Sequence, residues 1–228
     1  MIIDLGKNIS INKDCRLRTV ILPLGSLEYH GNVMPFNTDT LIATSVLNYC
    51  LIDKNDDPEK CIYITPPIPF GYSHEWLDYA GTISIEPIVY VEFIESIIKS
   101  LEYNLKPLGY VFLNSHGGNT NILQSICKKL YSVYKKPFIL VDLWRIASNL
   151  GLKYCHACLF ESKLLNYLTN SNYTSVNEKY CREEYLTGQY VDYKPGYCGE
   201  LNINIEFYLK TVCKSIDKAF ELIMNPSK

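Results

Sequence analysis

Glu28, His30 and Asp39 fall within twelve residues, in Leu24-Gly25-Ser26-Leu27-Glu28-Tyr29-His30-Gly31 and Asn37-Thr38-Asp39-Thr40, directly after the apolar run Val20 to Leu24. Two carboxylates and an imidazole at the carboxyl end of a predicted strand supply oxygen and nitrogen ligands of the kind that divalent metals take. The chain has four histidines, His30, His74, His116 and His156, all in segments that carry glycine or acid residues. His30, His116 and His156 read as parts of one site.

Short apolar runs alternating with segments of helical period must position these residues. Thr19 to Leu24, Cys61 to Thr65, Tyr110 to Asn114 and Pro137 to Leu143 read as strands. Thr38 to Lys54, Ile88 to Tyr103 after Pro87, and Asn119 or Thr120 to Tyr134 read as helices between them, with His156 to Thr169 and Asn202 to Met224 as later helices. Pro66-Pro67-Ile68-Pro69-Phe70-Gly71 imposes an extended loop. This alternation predicts parallel βαβ units in one α/β domain over 1–228, with ligands gathered at the strands' carboxyl ends. The polar, Tyr-rich stretch Asn170 to Gly199 has the length of a lid or a subunit contact, and equally of a loop with no part in the chemistry.

Composition narrows the classes. A formal charge of −2 with scattered lysines gives nucleic acid no basic surface. No basic leader with a long apolar run opens the sequence, and Ile88 to Leu101 carries Glu92, Glu95 and Lys99, so neither a signal peptide nor a membrane span is expected. The nine cysteines are dispersed and odd in number, which predicts reduced, buried thiols in a cytoplasmic protein. Cys155-His156-Ala157-Cys158 is the one close pair. It could be read as a redox or zinc element, but with no second pair for a zinc site and no strand-to-helix pattern of a thioredoxin site it reads as two small residues packed around a functional histidine.

With the first and third strands side by side, Glu28, His30, Asp39 and His116 converge at one sheet edge. A set without thiolate suits Zn(II), Mn(II) or Fe(II). Asp39 can bridge two ions, with Glu28 and His116 on one and His30 on the other. Ions roughly 3.5–4 Å apart can share a hydroxide and polarise a carbonyl for hydrolysis. Taken singly, Glu28-Tyr29-His30 is also what a polar turn after a strand looks like, and Gly117-Gly118 what a tight strand-to-helix turn needs. His156 and Glu161, five residues apart, diverge by about 140° on a regular helix. They share a site only if His156 precedes the first turn, with Glu161 a candidate ligand of the second ion and His156 a proton carrier. Glu161 is also a first-turn carboxylate of the sort a helix dipole favours. Ser73, His74 and Trp76 lie in a loop suited to lining a pocket. No Gly-x-Ser-x-Gly elbow is present for a serine nucleophile.

Leu24 to Gly31, Pro35, Asn37 to Thr40, Asn114-Ser115-His116-Gly117-Gly118-Asn119 and His156-Ala157-x3-Glu161-Ser162 resemble, in order, the motifs of the creatininase (creatinine amidohydrolase) family. Gly71-Tyr72-Ser73 through Gly81-Thr82 and Gly196-Tyr197-Cys198-Gly199 resemble its remaining loops. The resemblance implies a three-layer α/β/α sandwich and a two-metal hydrolase of amide carbon-nitrogen bonds, usually a homo-oligomer. By motif match it implies that Glu28, His30, Asp39 and His116 are metal ligands.

The departures are informative. Creatininase itself has a glutamate two residues beyond the equivalent of His116, where this chain has Gly118, which argues against creatinine and for Glu161 as ligand. Trp76 falls where many relatives have Glu-His, and Asn32, Val33 and Met34 replace a more polar stretch. The short chain and the His-Gly-Gly-Asn form resemble best the archaeal formamide hydrolases, which deformylate 2-amino-5-formylamino-6-ribosylaminopyrimidin-4(3H)-one 5'-monophosphate in riboflavin and deazaflavin synthesis. The expectation is a cytoplasmic two-metal amidohydrolase with a small amide or formamide substrate contacted by Ser73, His74, Trp76, Gly117, Gly118 and Asn119, and with His156 and Glu161 moving protons. Its competitors are a cyclic-amide hydrolase, a precursor-peptide peptidase and a non-catalytic metal-binding scaffold of the same fold.

Overall fold

Val20-Ile21-Leu22 is a continuous apolar run, and it sits in the middle of strand β2 (Leu17–Leu24), whose residues from Thr19 onward are buried on both faces. Burial on both faces is the mark of a parallel strand under helices. A computed structural model of the chain describes residues 1–8, 10–11, 15–52, 57, 59–152, 155–176, 182–184, 190–192 and 204–225. β2 lies at the centre of a five-stranded parallel sheet with β1 (Ile2–Asp4), β3 (Lys60–Ile64), β4 (Gly109–Asn114) and β5 (Phe138–Asp142), in the order β1-β3-β2-β4-β5.

Helices cover both faces, so the architecture is the three-layer α/β/α sandwich. Helices α1 (Thr38–Leu51), α4 (Leu143–Asn149), α5 (Leu159–Thr169) and α6 (Ile205–Met224) share one core with Ile21, Ile62, Val111 and Val141 of the sheet. On the other face, α2 (Pro87–Asn104) and α3 (Thr120–Tyr134) pack on Val20, Leu22, Tyr63, Tyr110 and Phe112. Alternate strand residues thus feed opposite cores.

The chain leaves β2 through α1 to reach β3 on one side, then crosses back to β4 and leaves through α3 to β5 on the other. The carboxyl ends of β2 and β4 therefore flank the point where the winding reverses, where open α/β sheets hold their ligands.

The structure corrects one expectation. Four cysteines are not reduced thiols: Cys15 pairs with Cys61 and Cys50 with Cys213 in disulfides. The partners are 46 and 163 residues apart, so only the folded packing of β3 and of α1 with α6 reveals them. β1 and α4 go beyond the sequence reading, as does the short strand pair described below, and α5 begins at Leu159, leaving His156 ahead of the helix. Of the stretch Asn170 to Gly199, a short antiparallel pair, β6 (Arg182–Glu184) and β7 (Tyr190–Asp192), is described beyond residue 176. The lid or subunit-contact role and the Gly196 to Gly199 motif lie outside the described residues. No helix among the described residues is long and apolar enough to cross a membrane.

Candidate metal centre

Six of the predicted residues meet beyond the ends of β2 and β4. Glu28 and His30 leave the loop after β2, Asp39 stands in the first turn of α1, His116 follows β4, and His156 and Glu161 come from the turn before α5 and its first turn. Glu28, His30, Asp39, His116 and Glu161 are all buried to within about 2% of full burial. Their ligand atoms form two triples that share Asp39: Glu28–Asp39–His116 and His30–Asp39–Glu161, each with its atoms within 4.8 Å of one another. Glu28, His30 and His156 make a third such group.

The two histidines are aimed by the backbone. His30 turns Nδ1 to the carbonyl of Glu28 at 2.9 Å, which leaves Nε2 4.0 Å from Asp39 Oδ1 and 3.8 Å from Glu161 Oε1. His116 turns Nε2 to the carbonyl of Tyr72 at 2.7 Å, leaving Nδ1 3.3 Å from both Glu28 Oε1 and Asp39 Oδ2. Fixing one ring nitrogen on a carbonyl sets the tautomer and offers the other nitrogen's lone pair, as in ligated histidine.

Of nine buried side-chain atoms without a hydrogen-bond partner among the described residues, four belong to the cluster: Glu28 Oε2, His30 Nε2, Asp39 Oδ1 and Glu161 Oε1. Orphaned carboxylate oxygens and an imidazole nitrogen, buried and mutually facing, are costly unless a cation joins them. The donor set therefore fits divalent metal on the chemistry of its own atoms. Electrostatics agree. Burial opposes a charge on His30, but Glu161, Asp39 and Glu28 outweigh it and push its pKa up to about 10. Burial likewise opposes a charge on His116, and Glu28 and Asp39 still drive its pKa well above the usual value. Burial would raise Glu28, yet His116 and His156 hold it well below the usual carboxylate range.

Glu161 and His156 meet because the chain turns sharply before α5. Ala157 adopts φ +53, and its N–H donates to Glu161 Oε2 at 2.6 Å, so the carboxylate turns its other oxygen toward His30. His156 sets Nε2 2.5 Å from the carbonyl of Tyr29 and Nδ1 3.2 Å from Glu28 Oε1, with its ring stacked on Trp76 at 4.0 Å.

The remaining predicted residues are distributed differently. Ser73 Oγ lies 3.3 Å from His116 Nε2, and Trp76 reaches the cluster through His156. His74 is exposed, its ring over Tyr72, away from the six. Asn119 is buried as a staple: its Nδ2 donates to the carbonyl of Gly25 at 3.0 Å, and its Oδ1 accepts from the N–H of Tyr72 at 3.0 Å. A Cβ on Gly118 would collide with the Tyr72 carbonyl oxygen and stand 2.6 Å from His116 Nε2, so no side chain fits there without moving the backbone that orients His116. Gly117 is open, with the Trp144 ring nearest.

Sequence reasoning passed over the residues that carry Asp39. Ser26 Oγ donates to its Oδ2 at 2.5 Å, and Ser115 Oγ donates to its carbonyl at 2.6 Å. Each serine stands beside a ligand-bearing motif, the one available signal. Gly25 is required beside them because a Cβ there would lie 2.5 Å from the Thr40 nitrogen. Glu75, paired with His74 in the sequence as a further His-Glu pair, is half-buried; burial raises its pKa and Glu28 adds to that against the opposing pull of His116, placing its carboxyl within the cluster's field.

The family model described as "Creatininase: Creatinine amidohydrolase" matches residues 11–189. The chain belongs to the creatininase family. Among curated proteins it is similar to the mycofactocin precursor peptide peptidase of Mycobacterium ulcerans (strain Agy99), 33% identical over 134 residues that cover 56% of this chain and 51% of that protein. It is also similar to the 3-dehydro-scyllo-inosose hydrolase of Thermotoga maritima, 26% identical over 58% of this chain and 39% of that protein. The chain spans about half the length of the peptidases it matches. Among solved structures, one from Bacteroides fragilis NCTC 9343 superposes with TM-score 0.71 at 18% identity, covering 97% of this chain and 96% of that one. Creatininase described as the Mn form superposes at 0.66 with 17% identity, covering 98% and 99%. These two likenesses establish that the fold is creatininase-like.

Proposed function

We propose that the chain is a metal-dependent amidohydrolase that cleaves a carbon-nitrogen amide bond. The observation that carries this reading is the four orphaned, buried ligand atoms facing one another around Asp39. Glu28, Asp39 and His116 would hold one divalent ion, and His30, Asp39 and Glu161 a second, with zinc, manganese or iron(II) all compatible with the donors. When bound, such ions polarise an amide carbonyl and lower the pKa of water at the site.

The chain's own residues then have defined tasks. Ser26 and Ser115 fix the Asp39 carboxylate and backbone. The carbonyls of Glu28 and Tyr72 hold the two imidazoles in register. His156, anchored at Nε2 by Tyr29, keeps Nδ1 on the cluster side, where it can pass a proton to a leaving nitrogen. Glu161 shares proton handling with its ligand role. Ser73, Trp76 and Gly117 border the approach and are the proposed substrate contacts, with His74 at its outer rim and Gly118 and Asn119 shaping the loop.

For the substrate, the formamide reading rests on the His-Gly-Gly-Asn form and the lack of room at Gly118 for the creatininase glutamate. A peptide reading rests on the 33% identity to precursor-peptide peptidases. One assay separates them: the zinc-, manganese- or iron-loaded protein is offered the formylaminopyrimidine nucleotide, creatinine and short peptides. Release of formate supports the first, release of an amino acid or dipeptide the second. Turnover of none, with any of the three metals, would refute the enzyme. Asp39→Ala is expected to lose both ions and all turnover, read by metal content per chain, while His156→Ala keeps metal and loses turnover.

A further inference from the structure

Cys155 and Cys158 bracket His156 and Ala157, and the fold brings the two sulfurs together. The Cys155 N–H donates to Cys158 Sγ at 3.3 Å, and the Cys158 N–H donates back to the Cys155 carbonyl at 3.3 Å, closing a tight turn. Neither is disulfide-bonded, whereas four other cysteines of the same chain are. Cys155 is half-buried and Cys158 is buried at the N-cap of α5. The spacing is Cys-x-x-Cys, in which a thiolate is favoured, and the second cysteine, Cys158, stands at a helix N-terminus, unlike a thioredoxin site.

We propose that Cys155 and Cys158 form a redox-active dithiol that takes small-molecule disulfides as its oxidant and, on closing, disturbs the candidate metal centre. Cys155, as thiolate, attacks one sulfur of the small disulfide, forming a mixed disulfide and releasing one small thiolate. Cys158 gives up its proton and attacks the Cys155 sulfur, forming the Cys155–Cys158 bond and releasing the second thiolate. The cysteines lose two electrons, the small disulfide gains them, and the two protons end on the released thiols.

Coupling to the site is local. The residue between His156 and Cys158 is Ala157, held at φ +53, whose N–H supports Glu161 and whose carbonyl accepts from the N–H of Val176 at 3.0 Å. Bonding the sulfurs across this turn reorients the Ala157 N–H and displaces Glu161 Oε1 from His30. Loss of a group that orients a ligand typically weakens metal binding 10–100-fold. This second half of the proposal rests on the metal-centre reading; the first half does not.

The test incubates the intact protein in buffers spanning the ratio of reduced to oxidised glutathione, traps thiols by alkylation, and reads the Cys155–Cys158 peptide by mass spectrometry. Zinc affinity is measured in parallel. The expected result is a peptide lighter by two hydrogens in the oxidising buffers and at least tenfold weaker zinc binding, both abolished in Cys155→Ser and in Cys158→Ala. Full alkylation of both thiols in the folded protein at every ratio would overturn the dithiol, as would pairing of either with a different cysteine. A disulfide formed with zinc affinity unchanged would overturn the coupling, and absence of zinc binding in the reduced protein would instead count against the metal centre.

Discussion

Gly118 stands where the resemblance to creatininase leads one to expect a glutamate. Because its Cβ position is already taken up by the Tyr72 carbonyl, Gly118→Glu forces the Tyr72 loop away and takes His116 with it. The expected outcome is a loss of about 1–3 kcal/mol in stability, read as a fall in melting temperature, with weaker metal binding and no creatinine hydrolysis. His30 gives a second prediction, in pH. Its pKa in the metal-free fold, about 10, exceeds its ordinary 6.5, so its contribution is complete below about 6.5 and lost as pH rises through 10. Glu28, held low, contributes above its ordinary 4.5 and is lost only as pH falls well below it. Chelated protein should therefore lose melting temperature between pH 6.5 and 10, and His30→Ala should flatten that slope. With zinc the sign reverses, since the ion replaces the proton and binds more tightly as pH rises.

The separation of layers makes a prediction at the level of elements. Ile94 of α2 and Val46 of α1 are both fully buried, but on opposite faces of the sheet. Ile94→Ala should cost about 2–5 kcal/mol, read by denaturant unfolding, and leave metal affinity of the folded protein unchanged. Val46→Ala, in the helix whose first turn presents Asp39, should weaken metal binding as well. The strands β2, β3, β4 and β5 and helices α1, α2 and α3 were legible in the sequence because apolar runs of strand length alternate with helical periodicity between proline, glycine and capping residues. β1 was not, being three residues that pair through β3 from the far end of the sheet. α4 was hidden because it starts directly at the end of β5, though its Asp142 cap, which accepts from the Arg145 N–H at 2.9 Å, was readable. The candidate ligands and their motif order were legible; their convergence needed the sheet. Ser26 and Ser115 were overlooked because a serine's role as orienter appears only when its partner is within reach. The disulfides were misread because nothing local to Cys50 or Cys213 speaks of the other.

At the scale of the molecule, parallel topology and helix placement converge on one consequence: the winding reverses between β2 and β4, and Glu28, His30, Asp39 and His116 are delivered there by the two loops and the helix that flank the reversal. α5 arrives from the end of the α1 layer and adds Glu161 and His156. Three carboxylates and two imidazoles so buried are stable as a group only with positive charge among them, protons or metal. The measurement that tests this most directly is a crystal structure of zinc-loaded protein with anomalous scattering at the zinc edge. Two peaks per chain, one among Glu28, Asp39 and His116 and the other among His30, Asp39 and Glu161, is the predicted result. Zinc bound elsewhere, or none at Asp39 under saturating metal, would contradict it.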